Sequence, residues 1–213
     1  MTPFSRRAFT TAALASLLTA CAGQGTHRTA SDPTTTATQP RSSPRPVPAE
    51  GARPLARSVP VRLLVPAIGV DTPVIRLGLA PDGTVRVPPV TPDDRAGWYR
   101  HSPTPGRTGP SVILGHVSVG AYGDGVFRHL TRLRRGDRIV ARLENGTAAQ
   151  FAVTAVRTVP RTRFPVDDVY GNVDRPELRL ITCGGARTGD GYADNVIVFA
   201  ALSGAESPKP GER

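Results

Sequence analysis

Cysteine is scarce in this chain of 213 residues, which contains only Cys21 and Cys183. Two cysteines form at most one disulfide, so a scaffold held by several disulfides is excluded, while a single bridge between Cys21 and Cys183 is the plain reading of Cys183 in a secreted protein. The four histidines have no tight spacing, which argues against a zinc site. The adjacent carboxylates Asp167 and Asp168 could bind calcium or form a solvated turn. We expect neither a metal nor a cofactor.

Aromatic residues are also few, at 5% of the chain, while the net charge is +10. Nucleic-acid-binding domains combine a basic surface with a recognisable motif or an aromatic stacking surface, and neither is present here. We therefore expect no nucleic-acid partner. An anionic cell surface is an equally good partner for this charge, which is nearly all arginine, since Lys209 is the single lysine.

Long hydrophobic runs are missing as well, and the longest, from Ala8 to Ala20, is too short to span a bilayer stably. Arg6 and Arg7 precede this run, as in a twin-arginine export signal. The run ends in Leu-Thr-Ala-Cys, which is similar to a lipobox. In a lipobox the chain is cleaved before the cysteine, so Cys21 would become the new amino-terminal residue and be acylated. A plain cleavage site or an uncleaved signal anchor is the alternative. Lipidation of Cys21 would hold the protein at the outer face of the cell membrane and leave Cys183 as a free thiol.

Composition divides the rest of the chain into a linker, a domain and a tail. Residues 22–58 are rich in Pro, Ser and Thr, which predicts a disordered spacer. Residues 59–203 alternate short apolar runs with turn signals, and residues 204–213 form a polar tail. The 22 prolines fit this division, because a sizeable part of the chain need not belong to a packed core.

The domain is predicted to be all-β. The short apolar runs predict eight strands, at residues 61–65, 70–75, 85–87, 111–114, 138–143, 150–156, 178–182 and 195–202. Asn145-Gly146 is a hairpin signal between two of them. Regularly spaced strands with almost no amphipathic helix favour a sandwich or a barrel.

Two of the predicted strands end at residues that can carry chemistry. Cys183 follows the strand 178–182 and precedes Gly184 and Gly185, which we expect to leave room for a substrate. His116 follows the strand 111–114 and is the candidate base that a reactive thiol needs. Taken alone, a lone histidine after a strand is usually a turn residue, and a buried thiol is usually inert.

Taken in order, the motifs of the domain resemble those of the sortase family of Gram-positive bacteria. The matching pieces are Gly115-His116 after an apolar strand, the run from Phe127 to Ile139, and Leu180-Ile181-Thr182-Cys183. Gly97-Trp98-Tyr99 and the run from Asp194 to Val198 are similar to classes E and F, and closest to class F. The resemblance covers about residues 59–203 and implies a closed eight-stranded β-barrel.

The resemblance also implies an activity, that of a cysteine transpeptidase. Cys183 would attack the Thr–Gly peptide bond of a Leu-Pro-x-Thr-Gly sorting signal on a surface protein and form a thioester. His116 would act as general acid and then as general base, because imidazole both gives and takes a proton near neutral pH. An amine acceptor in the cell wall would resolve the thioester.

One family feature, an arginine at the start of the last strand, has no counterpart here. The matching slot falls within Ala193 to Asn195, and Asn195 offers an uncharged amide donor. Arg187, four residues after Cys183, is the preferred substitute. Arg179 lies on the same strand face as Cys183, but about 13 Å away.

Two other functions remain open on the residues alone. The chain could be a lipid-anchored, non-catalytic sortase-like module that binds a peptide or a wall polymer, because the arginine is missing. It could also be a hydrolase, in which water resolves the thioester.

Overall fold

The computed structural model describes residues 52–92, 94–188 and 191–207. This part of the chain contains eight strands and one short helix. They are β1 (Pro60–Val65), β2 (Val70–Leu77), β3 (Ala96–Tyr99), β4 (Gly109–Leu114), β5 (Arg138–Leu143), β6 (Ala148–Pro160), α1 (Val166–Tyr170), β7 (Pro176–Thr188) and β8 (Gly191–Glu206). Single 3-10 turns cover Pro66–Ile68, Gly120–Tyr122, Leu130–Arg132 and Arg161–Arg163.

The strands close into a barrel in the order β1-β2-β3-β4-β7-β8-β6-β5, and β5 pairs with β1. Most neighbours are antiparallel, but β2 runs parallel to β3 and β4 runs parallel to β7. The predicted closed eight-stranded barrel is therefore confirmed. The parallel pair β4–β7 brings two carboxyl ends of strands to one edge of the barrel.

One predicted strand is wrong. Residues 85–87 contribute only a single bridge, between Leu79 and Val85, and the Val87 side chain is 61% exposed. The eighth strand is β3 instead, whose Trp98 is only 2% exposed. Gly97 and Ala96 give β3 a weak strand propensity. The strand forms because it fills the position between β2 and β4.

Side chains of β7 and β8 alternate between two hydrophobic clusters, as the two-residue period of a strand requires. Leu178 and Leu180 of β7 pack inside the barrel, whereas Ile181 packs on its outer face. The buried members of this second group, here called the outer cluster, are Leu77, Val112, Leu114, Val169, Ile181, Ile197 and Phe199. Val169 belongs to α1, so the helix covers part of the outer face of β4, β7 and β8.

The packed region begins earlier than the predicted domain boundary at residue 59. The Leu55 amide donates to the Gly106 carbonyl at 2.8 Å, and Ala52 and Leu55 pack against the interior cluster. The Asn145 amide donates to the hydroxyl of buried Ser58 at 3.1 Å. At the other end of the domain, β8 continues through residues 204–206, which belong to the predicted polar tail.

Residues 1–51 lie outside the described part of the chain, so the export signal, acylation of Cys21 and most of the linker stay predictions. Among the residues that are described, no helix is both long enough and apolar enough to cross a membrane.

Candidate active site

Cys183 lies in β7 with its side chain exposed. It pairs directly with Asn195 of β8, and by alternation from Ile181 it faces outward, in line with the outer cluster. The strand does not end at Thr182 as predicted but continues to Thr188. Gly184 is buried, and a Cβ there would lie 2.5 Å from Cγ2 of Val196. This glycine therefore lets β8 pack closely, which differs from the expected role of leaving room for a substrate.

His116 follows β4 by two residues and lies at the same edge of the barrel as Cys183. Leu114 pairs with Ile181 in parallel register, and the Gly115 amide donates to the Ile181 carbonyl at 3.1 Å. β4 ends at Leu114, and His116 follows this residue by two positions, just as Cys183 follows Ile181 by two positions in β7. Cys183 continues the outward-facing series of β7 that contains Ile181, and the bond at Gly115 holds the start of the His116 segment against the same strand.

The backbone of His116 is held from the opposite side by the segment that follows it. The Phe127 amide donates to the His116 carbonyl at 2.8 Å, and the Gly125 amide donates to the Val117 carbonyl at 3.1 Å. Phe127 is fully buried in the barrel interior. The Phe127 part of the sequence motif is thus a support for the backbone of the histidine.

Gly125 makes this support possible, and Gly125→Ala tests it. A Cβ at Gly125 would lie 2.3 Å from the His116 carbonyl oxygen, so the His116 backbone has to shift. Because overpacking of this kind costs about 1–3 kcal/mol, we expect a comparable loss in the free energy of unfolding, together with a loss of turnover. Thermal unfolding and single-turnover kinetics measure the two effects.

Gly204→Ala is the matched control, since no atom lies within 4 Å of its added Cβ. This change should leave stability within about 0.5 kcal/mol of the parent protein. Parental stability and turnover in Gly125→Ala would contradict the idea that close packing at this glycine positions His116.

The His116 imidazole is half-buried, and its Nε2 lies 2.7 Å from the carbonyl oxygen of Pro88. Pro88 belongs to the connection between β2 and β3, and it is buried between exposed neighbours. Sequence reasoning missed this contact, because a main-chain carbonyl in a proline-rich connection carries no residue-type signal.

A cleft of about 340 Å³ lies on the outer face beside β4. Val85, Tyr99, Val112 and Tyr170 contribute to its lining. The Tyr99 and Tyr170 rings meet edge to face, with centroids 6.1 Å apart. Burial raises the pKa of the Tyr170 phenol above its usual value, and the neighbouring Tyr99, when ionised, adds to this rise. Val112 is four residues before His116, about 13 Å along an extended strand, so an extended peptide of a few residues could reach from the cleft to the reactive edge.

Comparison with protein families agrees with this geometry. The family model described as Sortase domain matches residues 63–203, more than half of the chain. The chain belongs to the sortase family. Sortases are cysteine transpeptidases that act at the cell surface on proteins with sorting signals.

Solved sortase structures share the barrel. The SrtA sortase from Actinomyces oris is 23% identical, with a TM-score of 0.54, over 78% of this chain and 92% of that one. A sortase E mutant from Streptomyces avermitilis is 21% identical, with a TM-score of 0.52, over 75% of this chain and 97% of that one. Sortase A from Corynebacterium diphtheriae is 18% identical, with a TM-score of 0.53, over 74% and 65% of the two chains. The search of curated proteins finds no match.

In this sortase domain, Asn195 is the residue of the arginine slot that pairs with Cys183. The slot residues Ala193 to Asn195 continue β8 next to the cysteine. Arg187 lies further along β7, where its backbone pairs with Tyr192. A part for either residue in the reaction stays a prediction.

Arg179 is bound elsewhere in the sortase domain. Its side chain is 3% exposed, donates to Glu177 at 2.5 Å, and lies 4.6 Å from the centre of the Phe199 ring. Its Nε also donates to the Asp168 carbonyl at 3.3 Å. These contacts hold the guanidinium away from Cys183, so Arg179 is not a substitute for the family's arginine.

The acidic pair lies in α1, where Asp168 accepts from Arg157 at 2.7 Å. In the described ranges, no group of three or more His, Cys, Asp or Glu side chains is placed to hold a metal ion. The absence of a metal or cofactor from the reaction stays an expectation from the sequence.

Proposed function

We propose that this protein is a sortase-type transpeptidase that uses Cys183 as nucleophile and His116 as general acid and base. The observation that carries the proposal is the parallel pairing of β4 and β7, which the bond from Gly115 to Ile181 extends, so that the segments of His116 and Cys183 leave the sheet at one edge of the barrel. A nucleophile and a base at one edge of a rigid sheet form the arrangement that covalent catalysis needs.

The reaction has two halves. The Cys183 thiolate attacks the carbonyl carbon of the Thr–Gly bond in a Leu-Pro-x-Thr-Gly signal, and His116 gives a proton to the departing glycine amine. The acyl group is then held as a thioester on Sγ. An amine of the cell wall attacks the thioester, His116 takes the amine's proton, and Cys183 leaves as the thiolate.

The negative charge on the substrate oxygen needs hydrogen-bond donors. Asn195 is the side chain of the β8 slot that lies directly across from Cys183, and its amide can donate to that oxygen. Arg187 is the second candidate and would supply a charge-assisted bond. The run from Asp194 to Val198 and the Gly97-Trp98-Tyr99 run support placement near class F within the E and F branch.

The proposed setting is the outer face of the cell membrane. An acyl chain on Cys21 would anchor the protein, and the proline-rich linker would hold the barrel away from the bilayer. The surface proteins and the wall amines are both reached from this position.

Mass spectrometry of the full chain with a Leu-Pro-x-Thr-Gly peptide library tests the function. We expect an acyl adduct on Cys183 whose mass excludes the glycine fragment, and the peptides that react identify the motif. His116→Gln should lower the rate of adduct formation by about 100-fold or more, since general acid–base catalysis contributes at least that much. Addition of an amine should convert the adduct to an amide product.

A non-catalytic binding module is the second candidate, favoured by the missing arginine between Ala193 and Asn195. It predicts peptide binding with no adduct from any peptide, although Cys183 is exposed and can be alkylated. Release of a free acid in the presence of amines would instead identify a hydrolase.

A further inference from the structure

The contact between His116 and Pro88 decides which ring nitrogen of the histidine can take part in a reaction. The Nε2–oxygen distance is 2.7 Å, that of a hydrogen bond. A main-chain carbonyl only accepts, so Nε2 must be the donor and must carry a hydrogen. In the neutral imidazole the other nitrogen, Nδ1, is then the unprotonated one.

We propose that the Pro88 carbonyl is a positioning group of the active site, which holds His116 as the Nε2–H tautomer and leaves Nδ1 to exchange the proton. This inference rests on the proposed function. In the first half-reaction the imidazolium gives the Nδ1 proton to the departing amine, while Nε2–H stays bonded to Pro88. In the second half-reaction the Nδ1 lone pair takes the proton of the incoming amine.

Several contacts fix the segment that leads to Pro88. Residues 79–85 form a small turn closed by the Leu79–Val85 bridge. Arg86 then donates two hydrogen bonds to the end of β2 and the residues after it, from its amide to the Gly78 carbonyl at 3.1 Å and from its Nε to the Leu79 carbonyl at 3.0 Å. Arg86 lies two residues before Pro88, so these bonds fix the position from which the segment approaches His116.

The burial pattern of the segment supports the same role. Pro88 is buried, whereas Val87 on one side is 61% exposed and Pro89 on the other side is also exposed. One inward residue between two outward ones is the pattern of a segment that makes a single inward contact. In nucleophile–base pairs the base is commonly oriented by a third group, and here that group is a backbone carbonyl.

The chain offers a selective way to weaken this carbonyl. Residue 89 is a proline, so the Pro88–Pro89 linkage carries no N–H that could be lost. Replacement of Pro89 by lactic acid turns the linkage into an ester, whose carbonyl is a weaker acceptor. Pro89→Ala is the matched control, because it has the same side chain and keeps the amide.

The first measurement is the nitrogen spectrum of the full chain labelled with 15N-histidine, with His116 assigned through His116→Gln. We expect the Nε2–H tautomer for His116 in the parent protein and in Pro89→Ala. We expect part of the signal to move to the Nδ1–H tautomer in the ester variant. A predominant Nδ1–H tautomer in the parent protein would overturn the proposal.

The second measurement is transpeptidation. Relative to Pro89→Ala, the ester variant should lose roughly 3- to 10-fold in kcat, which corresponds to the net free energy of one hydrogen bond, and its KM should be unchanged. An equal or higher kcat would overturn the proposal, since the contact would then be neutral or inhibitory. If the parent protein and both variants fail to turn over, the proposed function has failed, and the tautomer measurement then decides only whether Pro88 holds His116 as the Nε2–H tautomer.

Discussion

Cys183→Ala is expected to abolish transpeptidation, with a loss of at least about 1,000-fold in kcat, because no thioester can form without the thiol. The exposed side chain makes the substitution mild for the fold, so the free energy of unfolding should stay within about 0.5 kcal/mol. Peptide affinity should also remain, since the substitution changes neither the cleft beside β4 nor the apolar side chains of the outer cluster. Steady-state kinetics, thermal unfolding and titration with a non-cleavable peptide measure these three quantities.

Cys183→Ser is the matched control for shape. It keeps an oxygen at the position of Sγ but lacks the readily ionised thiol, so it should be nearly as inactive as alanine while it folds equally well. Turnover close to that of the parent protein in Cys183→Ala would show that the thiol is not the nucleophile. Unchanged peptide binding with no turnover in the parent protein would instead favour the binding module.

Arg179→Ala is expected to destabilise the barrel by about 3 kcal/mol, the lower end of the cost when one partner of a buried ion pair is removed. The Arg179 side chain is 3% exposed and the Glu177 side chain is 10% exposed, so the carboxylate would be left largely buried, with the exposed Arg175 as its remaining ion-pair partner. The substitution also removes the contact of the guanidinium with the Phe199 ring. The midpoint of urea unfolding, with its slope, measures the change.

Arg175 supplies the matched control for this experiment. It donates to the same Glu177 carboxylate at 2.6 Å, but its own side chain is 68% exposed. Arg175→Ala should therefore cost about 1 kcal/mol or less. An Arg179→Ala variant no less stable than Arg175→Ala would contradict the buried-pair interpretation. Turnover per folded molecule should survive in Arg179→Ala, because this guanidinium is held away from Cys183.

The sequence predicts the correct number of strands, but it places one of them at residues 85–87 instead of at β3. Val85, Arg86 and Val87 have the β-branched pattern of a strand, and β3 with its glycine does not. Propensity reports how well a residue suits a pleated surface, whereas strand formation needs a neighbour with free backbone groups. The barrel offers that neighbour to Ala96–Tyr99, between β2 and β4, and only one bridging partner to Val85.

The candidate catalytic residues are recognisable in the sequence by type and position. Cys183 and His116 each follow an apolar run whose residues are β-formers, and such local patterns are readable in a single chain. The choice between a sandwich and a barrel was not readable from the runs, because both folds use the same alternation. It followed from the resemblance to a family, and the closed strand order confirms it.

What the sequence by itself determined is therefore local: the strand-rich domain, the two candidate catalytic residues and the lack of an arginine between Ala193 and Asn195. The tertiary structure decided how distant segments meet. The parallel pairing of β4 and β7 brings the segments of His116 and Cys183 to one edge of the barrel, Glu177 and Phe199 hold Arg179, and Pro88 meets the imidazole from 28 residues away. Register and long-range contacts depend on closure of the whole barrel, and no local pattern of residue types encodes them.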